Sequence, residues 1–107
     1  MIFALETEER TLITFPSELE AISYCEGLDV EAAVWLFWNE RGEPLEACFS
    51  IPNKRGFFTV QNGTYSLVPA SQNHHADLIE ALDEILSFDS PEPFNSSDGV
   101  RKYLIND

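Results

Sequence analysis

The sequence predicts one α+β domain, in which an antiparallel sheet of four to six strands carries two or three helices packed against one face. Short apolar segments alternate with turn residues through the first two thirds of the chain, and two later segments have helical spacing. The connections after residue 32 are too short for parallel crossovers, which need a dozen or more residues. A length of 107 residues is ordinary for one domain, so 1–107 is expected to fold as a single unit.

Two strands and a helix are predicted at the start of the chain. Residues 1–7 and 11–15 are apolar segments separated by a polar turn, which favours a hairpin. A helix is predicted over 17–26, because Ser17 can cap its first turn and a glutamate follows three residues later, as in a capping box. Gly27 should end this helix, since glycine adopts the left-handed conformation at little cost.

The middle of the chain predicts a meander of four antiparallel strands. Segment 32–38 is short, apolar and aromatic, so we expect a strand covered on both faces. Segment 45–51 alternates apolar and polar residues, as a return strand with one buried face does. Segments 57–60 and 64–68 follow, and Asn62–Gly63 between them is a strong hairpin signal.

Helices dominate the prediction for the last third. Segment 73–88 places five aliphatic side chains on one helical stripe and acids on the other side. Segment 89–97 contains two prolines and predicts a loop, and 98–105 predicts a short final helix. One topology stays open, because the first helix could let strand 11–15 pair in parallel with 32–38.

The charge balance limits the functions open to the chain. Nineteen acids face six lysines and arginines, for a net charge of −13. Such a chain repels phosphate backbones and anionic membranes, so neither nucleic acid nor membrane is an expected partner. It should attract a basic protein, with an association rate that falls as salt rises. The competing interpretation is that the acidity only maintains solubility.

No catalytic, metal or cofactor motif is present, and an enzyme is not expected. His74 and His75 are adjacent, so on the predicted helix they would point about 100° apart and could not chelate one metal together. Acids near Cys25 should raise the pKa of its thiol and make it a poor nucleophile, and Cys48 is expected to be inert on its strand. The first residues lack the pattern of a signal peptide, which favours a cytoplasmic location and reduced thiols.

The candidate binding residues flank strand 32–38. One group of acids surrounds the loop before this strand, and a second group surrounds the turn after it. Trp38 lies beside that turn and is expected to be partly exposed, as an aromatic anchor inside an acidic rim. The alternative is that both groups are ordinary solvated loop ends. The predicted partner-binding residues are Glu26, Asp29, Glu31, Trp38, Glu40, Glu43 and Glu46.

Several segments resemble a family of small bacterial immunity proteins from contact-dependent growth inhibition systems. The similar segments are Tyr24–Glu31, Trp35–Trp38, Gly42–Glu46, Pro52–Gly56 and Gly63–Leu67.

The resemblance covers less than half of the chain and is strongest towards proteins that neutralise toxins of the pancreatic-ribonuclease-like type. It implies a role rather than a set of binding residues: a 1:1 complex with a basic toxin domain, whose active site the protein covers without chemistry of its own. The alternative is an acidic adaptor or regulator that binds another basic protein. Neither role requires a cofactor.

Overall fold

The computed structural model describes residues 1–71 and 74–105 and has an α+β fold, as predicted. Its central feature is a six-stranded sheet with the strand order β7-β4-β3-β1-β2-β8, and β5 and β6 form a separate two-stranded hairpin. The elements are β1 Ile2–Glu6, β2 Thr11–Phe15, α1 Glu18–Tyr24, α2 Gly27–Glu31, β3 Trp35–Trp38, β4 Pro44–Ile51, β5 Lys54–Arg55, β6 Val60–Gln61, β7 Thr64–Pro69, α3 Leu78–Ala81 with a 3₁₀ turn Leu82–Glu84, β8 Ser87–Asp89 and α4 Ser97–Ile105.

The sheet is mixed, although most of its pairings are antiparallel. Strand β1 pairs antiparallel with both β2 and β3, so it separates these two strands and the open alternative of a parallel β2–β3 pair is wrong. Strands β3, β4 and β7 form a three-stranded antiparallel meander. The parallel pairing is that of β2 with β8 at the edge of the sheet.

Helices pack on both faces of the sheet, whereas the sequence predicted helices on one face. The first core lies under α1 and α2, and the second lies under α3 and α4. Strand β3 is central and its side chains enter both cores, as its aromatic composition predicted. The buried residues of the first core are Ile2, Ala4, Phe15, Ala21, Cys25, Trp35, Phe37, Leu45, Tyr65 and Leu67. Those of the second are Phe3, Leu5, Leu12, Trp38, Leu78, Leu82, Ile85 and Val100.

The long helix predicted over 73–88 is wrong, and its first residue lies outside the described residues. Only Leu78–Ala81 is α-helical, and the 3₁₀ turn ends it. The backbone amides of Leu86 and Ser87 both donate to the carbonyl oxygen of Arg10, at 2.9 and 3.2 Å. These bonds align residues 87–89 beside β2, where they form a strand. Pairing with the sheet therefore determines their conformation, although the spacing of apolar residues in 73–88 favours a helix. The final helix at 97–105 agrees with the prediction.

The predicted role of Gly27 is also wrong. Helix α1 ends at Tyr24, and Gly27 is instead the first residue of α2. A Cβ atom at Gly27 would lie 2.5 Å from the side-chain oxygen of Asn53. Glycine is therefore favoured at this position because the segment after β4 packs closely against it. A left-handed conformation at the end of a helix is not the reason.

Segment 57–60 does not form the predicted strand of the meander. Strand β6 pairs with β5, whereas β7 pairs with β4, so Asn62–Gly63 does not join two paired strands. The side-chain oxygen of Asn62 instead accepts a hydrogen bond from the amide of Leu28, at 3.0 Å. Residues 54–61 thus stand out from the sheet as a separate hairpin. Within the described residues, no helix has the length and apolar character needed to cross a membrane.

Candidate binding surface

The carboxylates of this protein are directed almost entirely to solvent. No charged residue is buried among the residues that the structure describes. Across residues 1–71 and 74–105 a single ion pair is present, between Arg101 and Asp83 at 3.4 Å, and the side chain of Asp83 is largely exposed. Because so few acids are neutralised within the fold, their negative field extends into solvent, where it can act on a partner.

One dense group of acids covers α1 and α2. No lysine, arginine or histidine occurs between residues 18 and 31, so nothing in this segment offsets their charge. We call this group the acidic helix surface. It consists of the exposed residues Glu18, Glu20, Glu26, Asp29 and Glu31.

An open apolar hollow of about 540 Å³ lies beside α1, at the edge of the acidic helix surface. Its apolar lining is formed by Phe15, Pro16, Leu19 and Tyr24, and Glu20 lies at its rim. Leu19 is 71% exposed and Tyr24 is 59% exposed, which is unusual for such side chains. The hollow therefore combines accessible apolar area with a negative charge at its rim, a feature that was not predicted from the sequence.

Tyr24 is held in place by the sheet beneath it. Its ring packs against Phe15 with 5.4 Å between centroids, and edge-on against Trp35 at 5.8 Å. These contacts fix the ring while leaving one side open to solvent. A preformed aromatic wall of this kind lowers the entropic cost of binding.

The expectation that Trp38 is partly exposed is wrong. Its side chain is 1% exposed and lies in the second core, where its indole nitrogen donates to the carbonyl oxygen of Ala76 at 2.8 Å. Trp35 and Trp38 point to opposite faces of β3, and helices cover both faces. Trp38 therefore cannot contact a partner in this structure, and Tyr24 with Leu19 supplies the accessible apolar area instead.

The second group of predicted acids lies at the other end of β3 and is partly engaged in local bonds. Glu40 and Glu43 are exposed in the turn, and Glu43 accepts a hydrogen bond from the side-chain amide of Asn39 at 2.9 Å. Glu46 is half-buried and accepts from the backbone amide of Ser71 at 3.0 Å. These bonds hold the turn together, so this group is less free to reach a partner than the acidic helix surface.

A narrow cleft brings one member of each acidic group together. Strands β3 and β4 are paired at two positions, next to the turn that joins them, while β4 continues to Ile51. The strands therefore diverge, and a cleft of about 230 Å³ opens between them. Glu31 and Glu46 both line it, together with His74 and the apolar side chains of the first core. The remaining predicted acids stay apart in their two groups.

A cationic finger projects next to α2. The finger comprises residues 51–63, which include Lys54 and Arg55 but no acid. Phe57 and Phe58 at its tip are 96% and 95% exposed. This exposed tip was not predicted, because the pattern of 57–60 favours a strand that contains both phenylalanines. Gly56 and the two basic residues before it, Lys54 and Arg55, are the sequence features that favour an exposed turn here.

The cysteines and histidines do not form a reactive site. Burial, followed by the charge of Asp29, raises the pKa of the Cys25 thiol to about 12, in the direction that the sequence predicted. Cys48 is a free, exposed thiol. His74 and His75 lie before the start of α3 and are not part of that helix. Their rings stack with 5.0 Å between centroids. Among the described residues, no group of three histidine, cysteine or acidic side chains is placed to hold a metal ion.

Comparison with protein families, with curated proteins and with solved structures gave no match. The geometry and charge of the chain are therefore the basis for a functional proposal.

Proposed function

We propose that the protein binds a basic protein through the acidic helix surface and the apolar hollow beside it. The observation that carries this proposal is the combination of exposed acids with an accessible apolar hollow. Five exposed acids lie on or next to α1 and α2 without a cation between them in sequence, and one of them, Glu20, borders the hollow. Acids alone would be explained by solubility, but an apolar hollow with a preformed aromatic wall adds area that solubility does not require.

The charge would act first, on the encounter between the two proteins. At −13, the protein attracts a basic partner over distances of about one Debye length, roughly 8 Å at physiological salt. Such steering raises the association rate more than the final affinity. We therefore expect the association rate to fall clearly between low and physiological salt, while dissociation changes less.

The hollow would act second, by retaining the partner once it has arrived. Fully burying one apolar side chain contributes about 1.5–3 kcal/mol, and the walls formed by Tyr24 and Leu19 offer space for such a side chain. In this role they replace Trp38, which is buried. Replacing Leu19 by Gln should therefore mainly speed dissociation, because the substitution keeps the helical propensity of α1 and removes apolar wall.

Immunity against a toxic nuclease is the form of this function that the resemblance favours. A nuclease that binds RNA needs a cationic cleft, and an acidic protein can cover that cleft in a 1:1 complex. Inhibition then follows from occlusion alone. The catalytic residues of the toxin need not be altered.

Affinity purification from the native host, followed by an assay of the captured protein, tests the proposal. We expect a basic protein whose nuclease activity is lost on adding the purified chain in equimolar amount. The matched pair of variants is Asp29→Lys/Glu31→Lys on the acidic helix surface and Glu80→Lys/Glu84→Lys on and beside α3, since both pairs change the charge equally at exposed positions.

A basic partner without toxic activity would replace immunity by the role of an acidic adaptor and keep the binding surface. Specific capture of a neutral or acidic partner would contradict the proposal. Equal losses of binding from both double variants would remove the acidic helix surface as the site.

A further inference from the structure

The finger has the features of a segment built to enter a pocket. The hairpin is closed at its tip, where the amide of Gly56 donates to the carbonyl oxygen of Thr59 at 2.6 Å. The rings of Phe57 and Phe58 pack edge-to-face, with 5.2 Å between centroids, and almost all of their area is in solvent. Two adjacent phenylalanines exposed in this way leave a large apolar area in contact with water. We therefore expect another surface to cover the tip in some state of the protein.

The base of the finger is fixed to the rest of the protein. The side-chain amide of Asn53 donates to the carbonyl oxygen of Gly27 at 3.0 Å, and its oxygen accepts from the amide of Gly63 at 2.6 Å. Asn62 accepts from the amide of Leu28. The finger therefore leaves the molecule from a defined place beside α2, on the same face of the sheet as α1 and the hollow.

The finger and the hollow are chemically complementary. The finger has an apolar tip preceded by the cations Lys54 and Arg55, and the hollow has apolar walls with the carboxylate of Glu20 at its rim. A volume of about 540 Å³ is within the ordinary range of binding pockets, roughly 300–1,000 Å³. Six of the eight large apolar side chains that are exposed among the described residues belong to these two places: Leu19, Tyr24, Ile51, Phe57, Phe58 and Val60.

We propose that the finger tip of one copy of this chain docks in the apolar hollow of a second copy. Because the base of the finger at Gly63 and the hollow both adjoin Leu19 of α1, a two-fold axis can let each copy give its finger and receive the other. The complex is then a closed dimer with two identical contacts, rather than an open chain.

Reciprocity strengthens the dimer. One finger in one hollow offers a gain from burial that is comparable to the cost of association itself. Two identical contacts double this gain, whereas the association cost is incurred once. We therefore expect a weak dimer that forms and dissociates readily.

The dimer should strengthen as salt rises. Two chains of −13 repel each other strongly at low ionic strength, and this repulsion outweighs the local attraction between each finger and its rim. This dependence is opposite to that expected for a basic partner. If the proposed function holds, the second copy also occupies the hollow that the partner needs, so partner binding and dimerisation compete.

Sedimentation velocity of the full chain, from about 5 to 500 μM, tests the dimer without any knowledge of the partner. We expect a concentration-dependent dimer that is favoured by physiological over low salt. Phe57→Ser/Phe58→Ser and Leu19→Gln should each raise the dissociation constant at least tenfold. The matched control is Leu86→Gln, which should leave the dimer unchanged. Leu86 is 74% exposed and bonds to Arg10 just before the start of β2, whereas Phe15 of the hollow lies at the far end of that strand.

Mixing the two interface variants gives the sharpest result. The Leu19→Gln chain keeps its finger and the double serine chain keeps its hollow, so the mixture should form a heterodimer with one intact contact, weaker than the wild-type dimer but stronger than the homodimer of either variant. A monomer at every concentration would overturn the proposal. It would also be overturned by a dimer that survives Leu19→Gln, because tip-to-tip packing or pairing of edge strand β7 would then explain it. Neither result bears on binding of a basic partner.

Discussion

Two short aromatic segments of this protein differ in burial: one lies in the core and the other is exposed to solvent. Segment 35–38 forms the central strand β3, with Trp38 1% exposed, whereas Phe57 and Phe58 are almost fully exposed at the tip of the finger. Similar composition therefore does not decide burial. The difference lies in what covers each segment: β3 has strands on both sides and helices on both faces, while the finger pairs only with itself.

The largest effect should come from truncating Trp38. Trp38→Ala removes a buried ring and its hydrogen bond to Ala76, so we expect a loss of about 3–5 kcal/mol in the free energy of unfolding. Phe57→Ala and Phe58→Ala should each stay within about 0.5 kcal/mol, because both side chains are exposed. Urea unfolding measures all three variants. Comparable losses at Trp38 and Phe58 would show that the finger is packed against the fold.

The sequence predicted those parts of the fold that local patterns determine. The alternation in 45–51 and the capping serine of 17–26 have strong local signals, and both elements formed close to the expected bounds. The edge strand at 87–89 could not be predicted, because its conformation depends on the carbonyl of Arg10, far away in the chain.

The candidate site was predicted only in part. The exposure of the acids in 26–31 was predicted from charge alone, since charged side chains rarely lie buried. Burial of Trp38 could not be predicted, because it depends on helices covering the second face of the sheet. The hollow escaped prediction for a related reason, since its walls come from β2 and α1 and meet only in the folded protein.

The next largest effect should come from Gly27, which joins α2 to the base of the finger. Gly27→Ala places a methyl group 2.5 Å from the side-chain oxygen of Asn53 and should displace that residue, at a cost of about 1–3 kcal/mol. Asn53→Ala should destabilise by a similar amount, and the two losses should not add. Thermal and urea unfolding of the single and double variants measure this coupling. Additive losses would contradict a shared contact.

A stabilising substitution is expected where α2 gives way to β3. Ala33 has a φ of 60°, and the amides of Ala33 and Val34 donate to the carbonyl oxygens of Val30 and Asp29, at 3.1 and 2.9 Å. This is a Schellman helix end, which favours glycine at the left-handed position. Ala33→Gly should raise stability by about 1 kcal/mol, seen as a higher melting temperature. A lower melting temperature would argue against this backbone conformation.

A smaller effect should appear in the pH dependence of stability. The ring of His75 lies 5.0 Å from that of Trp38, and neither of its nitrogens has a hydrogen-bond partner among the described residues. Burial first, and His74 second, lowers the pKa of His75, while Asp77 opposes the shift. The unfolded chain therefore binds more protons below the ordinary histidine pKa of about 6.5, so stability should fall as pH drops below that value.

The substitution His75→Gln isolates this contribution, because glutamine keeps a polar side chain that does not titrate. The free energy of unfolding of the variant should depend less steeply on pH between about 6.5 and 5 than that of the wild type. Urea unfolding across this pH range provides the measurement. An unchanged slope would mean that His75 is as solvated in the folded state as in the unfolded chain.

The comparison between two charged surfaces tests the central claim, that a basic partner binds the acidic helix surface. The measurement is the association rate of the captured basic partner at low salt, with Asp29→Lys/Glu31→Lys and Glu80→Lys/Glu84→Lys compared against the wild type. We expect the first variant to slow association about tenfold and the second about twofold or less, because steering depends on charge near the contact. Equal rates for the two variants, or a larger effect at Glu80 and Glu84, would contradict the claim.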